Sequence, residues 1–131
     1  MDKNEARKFC DKWLPAWAGN QPEKLIEFYS EDAFYRDPRR PNGVSGKQAL
    51  LTYFRKLLAN FPDWVWEVDD TFSIEKGFIL RWNAMIHVGE KSVREKGMDL
   101  VLVKDGLITR NEVYFDRTAL LQAMKQNAAK S

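Results

Sequence analysis

Tyr35 and Asp37 stand two residues apart in the run 29–38, Tyr-Ser-Glu-Asp-Ala-Phe-Tyr-Arg-Asp-Pro. Strand side chains alternate faces, so phenol and carboxylate share one side. Turned toward an apolar cavity, such a carboxylate is poorly solvated, its proton affinity rises toward neutrality, and it suits a general base. Turned toward water it does nothing. A second acid, Asp99, lies in the apolar run 98–103, where an unpaired ionised carboxylate would cost several kcal/mol, roughly. It must be paired, protonated or exposed. An ion pair with Arg81 across a hairpin would make it scaffold; a protonated Asp99 could donate a hydrogen bond to a reacting oxygen.

Other chemistries find little support. The one cysteine, Cys10, and the lone His87 are too few for a structural zinc site, and nothing in the sequence pairs the thiol with a base. The seven glycines are scattered, and Gly46-Lys47 lacks the upstream glycine of a phosphate loop. The expectation is therefore no cofactor and no metal. Lys and Arg number 21 against 19 Asp and Glu, without a basic run, so no nucleic-acid partner is expected. No apolar run approaches the ~20 residues of a membrane span. A single cysteine and an N-terminus without a secretion signal lead to the expectation of a reducing, cytoplasmic home.

The elements that must position these acids follow from periodicity. Phe9, Trp13, Leu14 and Trp17 recur at helical spacing and predict a helix ending near Gly19-Asn20. Pro22 fits the first turn of a short second helix with Leu25, Ile26, Phe28 and Tyr29 as its buried stripe. The Tyr35/Asp37 strand follows, and residues 38–43, with two prolines and Asn-Gly, predict a loop. Ser45 to Gln48 reads as a capping box opening a third helix through about Asn60, with Leu50, Leu51, Phe54, Leu57 and Leu58 inward. Residues 64–75, 78–88, 93–103 and 107–115 alternate and are separated by Lys76-Gly77, Gly89-Glu90 and Asp105-Gly106, which predicts an antiparallel four-strand meander. Asp116 can cap a last helix carrying Leu120, Leu121 and Met124, with residues 125–131 as a fraying tail. Residues 1–131 thus read as one α+β domain, its curved sheet closing over the N-terminal helices as a cone with a blind apolar pocket.

The register is the open question, since a slip of one residue exchanges the faces. With Asp99 inward, Val101 and Val103 accompany it and the last strand turns Asn111, Val113 and Phe115 inward. On the strand between hairpins, one choice turns Arg81, Asn83, Met85 and His87 inward, giving a polar cluster; the other turns in Trp82, Ala84 and Ile86. The first is adopted. It makes Asp37, Asp99, Tyr35, Arg81 and Asn83 the candidate catalytic residues, and Met85, His87, Val101, Val113 and Phe115 pocket walls. Trp13, Trp17, Tyr29 and Phe54 join the walls from the helical side. Trp64, Trp66 and Trp82 then fall on the outer face as an apolar patch, from which a homodimer through the sheet is expected. Arg36, Arg39 and Arg40 form a small basic rim.

The element order, residues 29–38, Gly46, and the ending from Asp105-Gly106-Leu107-Ile108 to Tyr114-Phe115-Asp116 resemble the SnoaL-like and ketosteroid isomerase-like proteins of the nuclear transport factor two-like superfamily, over nearly the whole chain. The resemblance implies a cystatin-like cone hosting isomerases, cyclases, dehydratases, epoxide hydrolases and noncatalytic binding modules. It also implies a small, mostly apolar ligand with a carbonyl or hydroxyl group. Asp37 before Pro38 resembles the isomerase's proton-shuttling aspartate, and Asp99 its protonated, hydrogen-bond-donating one. The isomerase's main donor tyrosine falls near Trp13 and its supporting tyrosine at Phe54, leaving Tyr29 of that hydroxyl network. Set beside limonene epoxide hydrolase, Tyr35 and Arg81 match, while its asparagine is Asp37 here and its aspartates are Asn83 and Val113. The leading expectation is carboxylate acid–base catalysis on a polyketide- or steroid-like compound; the competing one is a binding or interaction module, and hydration of an epoxide is third.

Overall fold

Asp2 opens the first helix: its side chain accepts from the Glu5 N–H at 2.8 Å while the Glu5 carboxylate accepts from the Asp2 N–H, so α1 (Lys3–Trp13) begins on a capping box. The expected single helix to Gly19-Asn20 instead breaks at Pro15. Proline has no N–H to continue the ladder, and Leu14–Trp17 tighten into a 3-10 turn. α2 (Pro22–Ile26) starts on its proline as expected and buries Leu25 and Ile26. The structure, a computed structural model, describes residues 1–130.

β1 (Tyr29–Asp37) carries the first acid. The loop expected over 38–43 is corrected, because Arg40–Ser45 forms β2, paired antiparallel with β1 through Phe34 opposite Ser45, Tyr35 opposite Val44 and Asp37 opposite Arg40. As β2 is an edge strand, Pro41 can sit in it with no partner on one side. α3 (Lys47–Asn60) buries Leu50, Phe54, Leu57 and Leu58, with Leu51 half-buried. Its N-cap is Gly46, at φ 93°, and no side chain caps it. The capping box read from Ser45 is therefore absent, and the left-handed backbone there explains the glycine.

The meander forms as expected: β3 (Val65–Ile74), β4 (Gly77–Val88), β5 (Lys91–Lys104) and β6 (Leu107–Tyr114), with Lys76, Gly89, Asp105 and Gly106 at positive φ in the turns. Asp116 Oδ1 accepts from the Thr118 N–H at 2.9 Å at the start of α4 (Thr118–Lys130). Residues 125–130 continue that helix where a fraying tail was expected; Ser131 lies outside the described residues. The six strands form one curved, unclosed sheet in the order β2-β1-β6-β5-β4-β3. All neighbours are antiparallel except β1 and β6, which run parallel, so the expected antiparallel sheet carries one parallel seam. This is the α+β cone, with the helices packed on its concave side.

The adopted register of β4 is wrong by one residue. Leu80 is the partner of Asp99, and Arg81 is the partner of Met98. The inward face of β4 is Phe78, Leu80, Trp82, Ala84, Ile86 and Val88, all buried, while Arg81 and His87 are exposed and Asn83 and Met85 half-buried on the other side. An unbroken apolar set is worth more inside than a polar cluster, at about 1.5–3 kcal/mol for each large side chain. Trp64 and Trp82 are buried, and both line the interior together with Trp66. The outer tryptophan patch that motivated a dimer does not exist.

Candidate active site

β1 delivers Tyr35 and Asp37 to the same side, and the two touch: the Tyr35 hydroxyl donates to Asp37 Oδ2 at 2.8 Å. Tyr53, on α3, donates to the same oxygen at 2.7 Å. The turn into β2 folds the Arg39 and Arg40 N–H groups onto Oδ1 at 2.9 and 3.0 Å. Asp37 is 6 % exposed, and donors from the protein stand where water would otherwise solvate it. A carboxylate offers about four acceptor sites, and four donors occupy them. Burial first, and the adjacent Asp37 second, hold the Tyr35 phenol well above its ordinary value. Burial and the bond to Asp37 do the same for Tyr53, so both remain donors.

Asp99 is different. It points inward from β5 at 5 % exposure and, among the described residues, accepts two hydrogen bonds from side chains. Trp82 Nε1 donates to Oδ1 at 2.8 Å, and Asn111 Nδ2 donates to Oδ2 at 3.0 Å. The amide of Asn111 is oriented from behind, because the buried Tyr29 hydroxyl donates to its Oδ1 at 2.9 Å. Burial pushes Asp99 up to about 7; the Asn111 and Trp82 bonds pull the other way, and nearby Asp37 adds a small upward push. An acid poised there gives or takes a proton at neutral pH.

Trp82 can lie over β5 because Gly97 has no side chain. A Cβ at that position would stand 2.3 Å from the indole ring and 2.7 Å from the Tyr114 carbonyl oxygen. The glycine is a clearance for the residue that holds Asp99.

Both acids line one cavity of about 270 Å³. That is just below the ~300–1,000 Å³ usual for small-ligand pockets, which fits a compact guest. Trp17, Tyr35, Val113 and Phe115 line it as the sequence predicts, together with Asp37 and Asp99. Trp13, Tyr29, Phe54 and Val101 are buried in the core behind these walls and do not line it. Arg81, Asn83, Met85 and His87 are on the far side of the sheet. Arg81 Nε bonds Asp69 at 2.6 Å and lies near Asp70, so the ion pair with Asp99 does not form. His87 Nδ1 meets Ser92 Oγ at 3.0 Å on the surface. Of the basic rim, Arg36 turns outward to Tyr114 and Glu112, and Arg40 lies over the Tyr53 ring; only Arg39 lines the cavity. Cys10 is buried in the core, which pushes its thiol up to about 12.

Sequence reasoning missed Tyr53, Trp82, Trp64 and Trp66 as site residues, and Asn111 as the partner of Asp99. Alternation alone could have found Trp82 through the apolar face of β4. Tyr53 had no local signal, since its neighbour Phe54 carries the core contact on the same helix.

A curved, unclosed sheet that brings two buried carboxylates and aromatic side chains around one cavity has the ketosteroid isomerase-like fold. The chain belongs to the SnoaL-like domain family, whose model matches residues 8–111. No curated protein sequence matches it. Among solved structures it is similar to a protein from Catenulispora acidiphila with a ketosteroid isomerase-like fold, in complex with trimethylamine, at 14% identity over 90% of this chain and 92% of that one, TM-score 0.79. It is also similar to a protein of Shewanella putrefaciens provisionally called a SnoaL-like polyketide cyclase, at 13% identity over 100% and 88% of the two chains, TM-score 0.76. A third is an LEH-like epoxide hydrolase of M. tuberculosis, at 15% identity over 98% and 96%, TM-score 0.75. At such identities the likeness speaks for the fold.

Proposed function

We propose that this protein is a cofactor-independent acid–base enzyme of isomerase, cyclase or dehydratase type, acting on a compact, mostly apolar compound with a carbonyl or hydroxyl group. The observation that carries the reading is Asp99, a carboxyl pushed to about 7 and held by the Trp82 indole and the Asn111 amide, lining an aromatic cavity. Asp99 moves the proton, and as a neutral acid it can instead donate to a developing enolate oxygen. Asp37, its acceptor sites filled, orients Tyr35 and Tyr53. It serves as base only when a tyrosine yields its place to the substrate. Polyketide-like substrates suit the family and the proteins of similar fold.

The test is Asp99→Asn assayed against a panel of enone isomerisations, aldol cyclisations and dehydrations. Turnover should fall by at least two orders of magnitude, roughly, the scale of a lost acid–base group. Undiminished turnover would remove Asp99 from the chemistry.

A binding module is the second reading, favoured by the fully satisfied Asp37. Epoxide hydration is not advanced, because Arg81 and Asn83 lie across the sheet from the cavity. A symmetric pair through the outer sheet face is still proposed, now on Met98 and Tyr114, cross-strand partners exposed at 42 and 46 %. Sedimentation velocity showing only monomer at micromolar concentration would dismiss it.

A further inference from the structure

We infer that the natural ligand is an anion, a compact ring compound bearing a carboxylate, whose charged end is held at the cavity mouth by Arg117 and Arg39. The inference deepens the proposed function and rests on its reading of the cavity as the ligand site. Arg117, half-buried just before α4, and Arg39, exposed just after Asp37, both line the cavity.

Arg7 pairs with Asp11, Arg36 and Arg110 with Glu112, Arg55 with Glu23 and Arg81 with Asp69, while Arg40 and Arg94, which have no ion pair among the described residues, do not line the cavity. Among the described residues neither Arg117 nor Arg39 has an ion pair. Two carboxylates are in the same cavity, yet neither serves them. Asp37 is filled by two phenols and two backbone N–H groups, and Asp99 is held by an indole and an amide. The two acids are thus held by neutral donors, and among the described residues neither makes an ion-pair contact with the two cations beside it.

A half-buried guanidinium against apolar walls has lost part of its hydration, and an anion supplied from outside restores the balance. The planar fork of arginine matches a carboxylate through two parallel N–H···O bonds. The aromatic walls, Trp17, Trp64, Trp66, Trp82 and Phe115, take the ring. Arg117 is the principal anchor because it is the more buried of the two, so its charge is less screened by water.

Calorimetric titration of the full chain with 2-naphthoate and with the isosteric neutral 2-naphthamide at pH 7.5 and low salt tests this, with the indole N–H resonances of the five tryptophans reporting whether each probe enters the cavity. The expected result is at least about ten-fold tighter binding of the naphthoate. Arg117→Gln should bring it to the naphthamide level while leaving the naphthamide unchanged, and Arg117→Lys should retain most of the preference. Equal affinity for the two probes, a preference that survives in the Arg39→Gln/Arg117→Gln double variant, or no indole shift with either probe would overturn the inference. Should Asp99→Asn abolish turnover while the naphthoate shows no preference, only the anionic ligand is lost. Should the preference hold while Asp99→Asn stays active, the anion site stands and the acid–base reading falls.

Discussion

The Trp82 indole reaches across from β4 to donate to the Asp99 carboxylate at 2.8 Å, over the bare backbone of Gly97. A donor to the charged form lowers proton affinity, so this bond restrains a shift that burial drives upward. Removing it with Trp82→Phe should carry Asp99 above about 7. Carboxyl ¹³C titration by NMR reads the change; an unchanged or lower value would deny the bond its role.

Gly97→Ala attacks the same contact from the other strand. Its methyl group must displace the ring or the Tyr114 carbonyl, an overpacking that costs about 1–3 kcal/mol. Urea denaturation should show that loss, and the Asp99 titration should move in the same direction as in Trp82→Phe. A variant as stable as the parent would mean that the sheet opens there freely.

Asp99 also makes stability depend on pH with a definite sign. Its folded value of about 7 lies above its ordinary 3.8, so between these the folded state binds a proton that the unfolded state has released. Stability contributed by this group is therefore complete below about pH 4 and is lost as pH rises toward 7, at up to about 1.4 kcal/mol per unit. Asp99→Asn should flatten that slope in thermal melts between pH 4.5 and 7.5, after allowance for other titrating groups. A slope equal to the parent's would show that Asp99 titrates normally.

Tyr35 and Tyr53 share one oxygen of Asp37. Replacing either with Phe should cost about 1.5–3 kcal/mol, the range for a hydrogen bond to a charged group. The pair should be non-additive, since each change alters what the other phenol meets. A double-mutant cycle with zero coupling would contradict the shared acceptor.

Arg81→Gln should change turnover and stability little, within about 1 kcal/mol, because its close ion pair, with Asp69, is exposed on the outer face. A collapse of activity would place the arginine in the chemistry after all.

The element order was largely legible because apolar periodicity and Gly-containing turns are local signals, and the shared side of Tyr35 and Asp37 followed from strand alternation, though the hydrogen bond between them did not. The register of β4 was legible too, in the unbroken apolar series from Phe78 to Val88, but Asp99 drew attention to the polar series beside it. What could not be read was long-range: Tyr53 meets Asp37 from 16 positions away, and Asn111 meets Asp99 across a ladder. Gly46 shows a different limit. Serine, glycine, lysine and glutamine spell a helix cap in either frame, and only the backbone at φ 93° decides which residue fills it.

The last helix supplies Leu120, Leu121 and Met124 to the cavity while standing outside the sheet that carries both acids. Roof and floor of the cavity are thus built from separate parts of the sequence. Substitutions along that helix can reshape the hollow without disturbing the hydrogen bonds that hold the two acids below it.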